Sequence, residues 1–178
     1  MEFFAKMRGA GKSPPRVRRT EIVSSFLGSL TGIALLGWLH ATVADPVDQV
    51  LIIGSFAASA VLLFAAPKSP LAQPRNLLGG HVLSAIIGVS FRLALPEMPW
   101  LAAALAVATA IAVMLMTKTL HPPGGATAYI AVTGGPKIAA LGYLYVLCPA
   151  LTGAAILLCV ALAANALTPG RRYPEYWW

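Results

Sequence analysis

Two long runs without a charged residue decide what this chain can fold into. Nineteen residues from Pro99 to Thr117 carry no charge, and neither do the thirty from Ile138 to Leu167. Roughly 20 apolar residues in an α-helix cross a hydrocarbon core about 30 Å thick. A soluble domain would show alternating or one-sided apolar patterns, whereas here the runs are continuous. Composition agrees, at 58% hydrophobic and 11% charged residues with a mean hydropathy of +0.75. The net charge of +7 is not a nucleic-acid signal, because six of the thirteen Lys and Arg precede Thr20 and most others stand at the ends of apolar runs. That distribution orients membrane proteins. The expected surroundings are a lipid bilayer, with no nucleic-acid partner.

Read in order, the chain divides into a basic arm (1–20), a membrane domain (21–168) and an aromatic, interfacial tail (169–178). The fold expected is an all-α, polytopic membrane helix bundle. Its spans are Ile22–Leu39, Gln49–Ala66, Leu77–Leu95, Trp100–Thr117 and Ile138–Leu167. A basic start, an apolar stretch and Ala41-Thr42-Val43-Ala44 also fit a cleaved signal peptide, but the first span is longer than the usual apolar core of one. Asp45, Pro46 and Asp48 make a short outer loop. Gly28 and Gly32, then Gly80, Ser84 and Gly88, then Ala102, Ala106 and Ala110 form small-residue stripes at every fourth position. Such faces let another backbone approach, within one chain or between copies in a homo-oligomer. The thirty-residue run would be about 45 Å of helix, so it must tilt, kink or break, with Pro149 the obvious kink.

Between Thr117 and Ile138 lies His121-Pro122-Pro123-Gly124-Gly125-Ala126-Thr127-Ala128, followed by Tyr129–Val132 and closed by Thr133-Gly134-Gly135-Pro136-Lys137. Paired prolines fit a first helical turn, and glycines leave backbone N–H groups open to a ligand. The segment reads as a half-inserted, re-entrant helix whose N-terminus suits an anion; the plainer reading is a cytoplasmic turn. Five spans plus this element place the N-terminus in the cytoplasm, the C-terminus outside and Trp38, Trp100, Trp177 and Trp178 at the outer face. A six-crossing alternative, splitting residues 126–147 from 148–167, would return Arg171 and Arg172 to the cytoplasm. Gly134–Lys137 falls where that extra span needs apolar helix, which favours five.

A repeat is also visible. Ala58–Val61 recurs as Ala108–Ile111, Pro67–Pro70 as Thr117–Leu120, and after a five-residue gap Gly79-Gly80 falls on Gly124-Gly125. The expectation is two span–loop–helix units, an arrangement that transporters use to hold a site between repeats.

The His-Pro-Pro segment, together with Gln73-Pro74-Arg75-Asn76 and Gly79-Gly80-His81 between apolar spans, resembles the HPP family of integral membrane proteins. The resemblance covers roughly residues 20–168. It implies a compact bundle of membrane helices, and because some members are linked to nitrite transport, it implies a small inorganic anion as substrate.

The expected substrate-binding set is His121, Pro122, Pro123, Gly124, Gly125, Ala126 and Thr127, with Arg75, Asn76, His81 and Lys118. His121 would donate to an anion or carry a proton; alternatively it fixes the turn through a carbonyl. Thr127 would line the site or back-bond to the preceding turn. Arg75 and Asn76 would contact the anion, or else snorkel and cap a helix. His81 is costly at its depth unless partnered, and a structural bond to a neighbouring span would serve equally. Arg92 and Glu97 read as a peripheral pair. No acidic residue lies within a span, and no catalytic constellation, phosphate-binding fingerprint or metal-ligand cluster is present, so no enzyme activity, cofactor or metal is expected. Cys148 and Cys159 lie eleven residues apart in one run, about 16 Å of helix, too far to pair. The alternative to transport is a membrane assembly module in which His-Pro-Pro is architectural. A multi-pass protein of a bacterial inner membrane is the expected location.

Overall fold

The computed structural model describes residues 2–7, 11, 13, 15–44 and 50–178. Arg8, Lys12 and Pro14 of the arm, and the expected outer loop at Asp45, Pro46 and Asp48, lie outside the described residues. After a single turn in the arm, α1 (Glu2–Ala5), the first long helix is α2 (Arg19–Leu39), which runs on through a π-helical turn at His40–Ala44. Helix α3 (Ser55–Ala60) continues through a second π turn, Val61–Ala65, and a 3-10 turn at Pro70–Ala72 leads into α4 (Pro74–Ala94). Then come α5 (Pro99–Met116), α6 (Pro122–Thr133), α7 (Pro136–Leu141) and α8 (Thr152–Ala166), the last entered through a π turn at Val146–Leu151. There is no strand among the described residues. The stretches Arg19–Ala44, Pro74–Ala94, Pro99–Met116 and Val146–Ala166 are long and apolar enough to cross a bilayer.

Local sequence explains the element ends. Pro74, Pro99, Pro122 and Pro136 each stand in a first helical turn, where the missing N–H has no helical partner to lose. Gly142 closes α7 at φ +50°, a conformation that disfavours a side chain. The thirty-residue run therefore breaks at Gly142, and a second irregularity follows at Cys148, whose φ −135°, ψ 120° is non-helical beside Pro149.

Contacts sort the helix ends onto two faces. On one, Arg171 Nη2 donates to Glu21 O at 3.1 Å, Tyr173 OH to Ala72 O at 2.9 Å and Arg75 Nη2 to Thr117 O at 2.7 Å. The starts of α2 and α4 and the ends of α5 and α8 thus share this face with the C-terminal tail. On the opposite face Cys148 Sγ lies 3.4 Å from Val50 O, and Arg92 Nη1 donates to Ala131, Val132 and Gly134 carbonyls at 3.1–3.2 Å. The chain passes between the faces six times, through α2, α3, α4, α5, α6 and α8. This differs from the expected five passes plus one half-inserted helix in three ways.

First, of the described residues 50–66 of the second span, only Ser55–Ala65 is helical; Gln49, its expected start, lies outside the described residues. Second, α6 does not turn back: it starts beside Gly80 and ends beside Arg92, running parallel to α4 for its whole length. Third, the C-terminus shares the face of the N-terminal arm, so Arg171 and Arg172 lie there, and Trp177 and Trp178 sit opposite Trp38 and Trp100. The expected one-sided aromatic belt is two-sided. The expected repeat survives only in direction. α3 and α5 run the same way, as do α4 and α6, but their lengths do not match: α4 has 21 residues and α6 has 12.

Close approach of backbones holds the centre together. A Cβ built on Gly88 would stand 2.5 Å from Ala128 O and 2.6 Å from Ala131 Cβ, and one on Gly124 would stand 2.8 Å from Gly80 O. Ala102, Ala106 and Ala110 are fully buried and pack with Ala128 and Val132. Both stripes are thus engaged inside the chain, where small residues replace the hydrophobic effect that lipid does not supply. α2 packs more lightly, burying only Gly28, Gly32 and Leu36.

Two outcomes follow. In a background lacking Cys148 and Cys159, Ser13→Cys and Tyr176→Cys should react with an impermeant thiol reagent from the same side, and Met98→Cys from the other; labelling of Tyr176→Cys beside Met98→Cys would break the six-pass topology. Gly88→Ala should lower thermal stability in detergent by several degrees, since backbone must move to admit the methyl. Gly125→Ala should be nearly neutral, because a Cβ there meets only Val107 Cγ1 at 3.9 Å.

Candidate functional site

Two short helices meet at the heart of the bundle. α3 comes from one face and α6 from the other, and their facing sides pair Ser55 with Thr127 and Ser59 with His121. They are therefore antiparallel, and α4 lies across both. An apolar interior offers polar groups no water, so each needs an internal partner.

The seam provides those partners as a chain. Ser59 Oγ lies 2.8 Å from His81 Nε2 and 2.9 Å from His121 Nε2. His81 Nδ1 lies 2.7 Å from Thr127 Oγ1, which is 2.9 Å from Ser55 Oγ. His121 Nδ1 lies 2.7 Å from Leu71 O, and Tyr145 OH donates to Thr127 O at 3.1 Å. Ser59, His81, His121 and Thr127 are each 0% exposed. The two imidazoles meet edge to face with centroids 5.1 Å apart.

Hydrogen counting fixes the direction of the bonds at His121 and Ser59. A carbonyl can only accept, so His121 carries its hydrogen on Nδ1 for Leu71 O. A neutral ring then accepts at Nε2, so the one Ser59 hydroxyl hydrogen goes to His121. Ser59 must in turn accept from His81 Nε2–H, while Thr127 Oγ1, beside His81 Nδ1, donates its hydrogen to Ser55 Oγ. The two histidines thus hold opposite tautomers, with Leu71 O ending the chain. His121 stands directly before α6. The alternative at Ser59, a back-bond to Ser55 O, is longer at 3.3 Å.

The sequence-predicted residues fall into two groups. His81, His121 and Thr127 converge in the seam. Arg75 and Asn76 instead hold the 117–121 connection, through Thr117 O and Leu120 O at 2.7 and 2.9 Å. Asn76 Oδ1 is buried without a protein partner. Lys118 is exposed, at φ 57°. Pro122 and Ala126 are exposed, Gly125 is half-buried, and Pro123 and Gly124 are buried. Gly124 N donates to His121 O at 2.8 Å, so the helix start is closed by its own residues and by the packing of Gly124 on Gly80. Arg92, expected to pair with Glu97, instead binds the last carbonyls of α6. No group of His, Cys, Asp and Glu suited to a metal occurs among the described residues.

Sequence reasoning missed Ser55, Ser59, Leu71 and Tyr145. Ser55 and Ser59 did carry a signal: two hydroxyls four apart in an apolar span share one helix face. Leu71 acts through its carbonyl, and no side-chain pattern reports that.

Fold and site together define a polytopic helical membrane protein with a polar seam at its centre. A family model described as HPP, transmembrane region, matches residues 14–174, and the chain belongs to that family. Two transmembrane proteins of Dictyostelium discoideum are each 45% identical to it, over 181 and 183 residues. They match all of this chain, which spans 58% and 64% of their own lengths. With relatives from that organism, the comparisons lend no support to a bacterial inner membrane. No solved structure matches.

The tautomer assignment has a direct check. Ring ¹⁵N shifts of the folded protein should show His121 as the Nδ1–H form and His81 as the Nε2–H form. Two identical tautomers would contradict these bond directions.

Proposed function

We propose that the protein is a transporter for a small inorganic anion, nitrite being the substrate the family resemblance implies, and that the α3–α6 seam is its path. The observation that carries this reading is the pair of short antiparallel helices with hydroxyls and imidazoles on their facing sides. Each sits inside a long–short–long set, α2–α3–α4 and α5–α6–α8, and the two sets start from opposite faces. Inverted units with short helices at the midplane are how many transporters build a binding site.

Ser55, Ser59, His81, His121 and Thr127 would offer hydrogen bonds to the anion once α3 and α6 part. Arg75 at one end of α4 and Arg92 at the other would keep both approaches positive, with the exposed Lys118 adding charge beside Arg75. The basic arm, with Lys6, Arg16, Arg18 and Arg19, supports a cytoplasmic N-terminal face by the positive-inside rule, and Arg171 and Arg172 on the same face add to that support. No cofactor, metal or catalytic step is part of this reading. Assembly into a homo-oligomer would have to use faces other than the internal Gly and Ala stripes.

A second reading has its own observation. The seam is closed, and Arg75 and Asn76 bind carbonyls, as an architectural His-Pro-Pro element in a membrane assembly module would require. Flux separates the two. Liposomes containing the purified chain should take up nitrite, nitrate, formate or chloride faster than empty ones. Thr127→Val should cut that flux at least tenfold in protein that still folds, although its thermal midpoint falls with the loss of the buried bonds to His81 and Ser55. Nitrate, a strong-acid anion, controls for permeation of free acid. No uptake of any of the four by folded protein would leave the module reading.

A further inference from the structure

On the N-terminal face, a cavity of about 270 Å³ is lined by Arg18, Glu21, Lys68, Ser69 and Arg171 among others. Below it, a groove of about 560 Å³ runs between α2 and α3, lined by Ser29, Ile33, Ala34, Ala57 and Val61 among others. Ala65 lines both, so the polar cavity and the apolar groove adjoin.

The charges in the cavity are unbalanced. Glu21 Oε1 is held by Arg18 through Nε at 3.1 Å and Nη2 at 2.9 Å. Arg171 is half-buried, yet its four bonds go to neutral acceptors: Phe64 O, Asn165 Oδ1, Glu21 O and Ser25 Oγ, at 2.9–3.1 Å. Those bonds place the guanidinium where the cavity meets the groove, since Ser25 and Phe64 line the groove. A half-buried guanidinium without an anionic partner is costly, and Lys68 adds a second cation, this one exposed. From Ser25 to Ala34 the groove follows ten residues of α2, about 14 Å of rise, close to half of a 30 Å hydrocarbon core. A cationic pocket at the surface with an apolar channel one leaflet deep has the dimensions of a phospholipid.

We propose that cavity and groove together bind one anionic phospholipid, its phosphate against Lys68 and Arg171 and one acyl chain along α2 and α3. The lipid would cover part of the lightly packed α2 and would neutralise Arg171.

The test uses the full chain purified in detergent, with binding read by native mass spectrometry and by thermal shift. Dioleoyl-phosphatidylglycerol should bind at least fivefold more tightly than dioleoyl-phosphatidylcholine and raise the melting temperature by several degrees more. Lys68→Glu, an exposed change, should remove most of that preference without changing the melting temperature in phosphatidylcholine. Dihexanoyl-phosphatidylglycerol, which keeps the head group but not the chains, should bind at least tenfold more weakly than the dioleoyl form. Equal binding of the two dioleoyl lipids, or an unchanged preference in Lys68→Glu, would overturn the proposal. Full stabilisation by glycerol phosphate or inorganic phosphate alone would also overturn it, in favour of a site for a free anion.

Discussion

One hydroxyl, that of Ser59, lies between two imidazoles, and the centre of the bundle depends on it. In an apolar interior surrounded by lipid, a histidine without a partner costs several kcal/mol, and this chain places His81 and His121 side by side at 0% exposure. Ser59 accepts from one ring and donates to the other, joining α3, α4 and the start of α6. The Leu71 carbonyl and the Thr127 hydroxyl then close the two ends. Chains of this kind strengthen one another in a low dielectric and are costly when broken, so register among three helices follows from a few bonds of 2.7–2.9 Å.

That lock is possible because backbones come close. Gly80, Gly88 and Gly124 leave no room for a side chain between α4 and α6, which brings their polar side chains to the same depth as those of α3. Arg75 and Arg92 bind carbonyls at the two ends of the same interface. A transporter built this way would need a substrate that compensates for opening the seam, and a small hydrogen-bonding anion has the chemistry to do so. The same closure is all that an assembly module requires, which is why flux and not geometry separates the two readings.

Much of this was legible in the sequence. The uncharged runs marked the long helices, the small-residue stripes marked the packing faces, and Pro122 and Gly134 bounded α6 closely. His81, His121 and Thr127 were recognised as polar residues placed where they must have partners. The partners themselves were not legible, because Leu71 acts through its backbone and Ser59 is distant in sequence from both rings. Topology failed for a related reason. α6 has 12 residues, too few by length to be counted as a span, and only its neighbours α4 and α5 allow so short a helix to reach the opposite face. Arg171 and Arg172 had pointed to the correct side for the C-terminus, and the glycines at 134–135, read as incompatible with a span, are the end of one.

The most direct test of the Ser59 lock is a double-mutant cycle on unfolding free energy in mixed micelles, using Ser59→Ala and His121→Phe alone and together. Because each single change leaves a buried partner of the same network unsatisfied, the double variant should cost less than the sum of the singles by about 1 kcal/mol or more. Ser59→Ala with Asn165→Leu, whose bonds go to Leu63 O, Ala161 O and Arg171, serves as the additive control. Additivity of Ser59→Ala with His121→Phe, to within about 0.3 kcal/mol, would contradict the claim that this hydroxyl and these rings act as one unit.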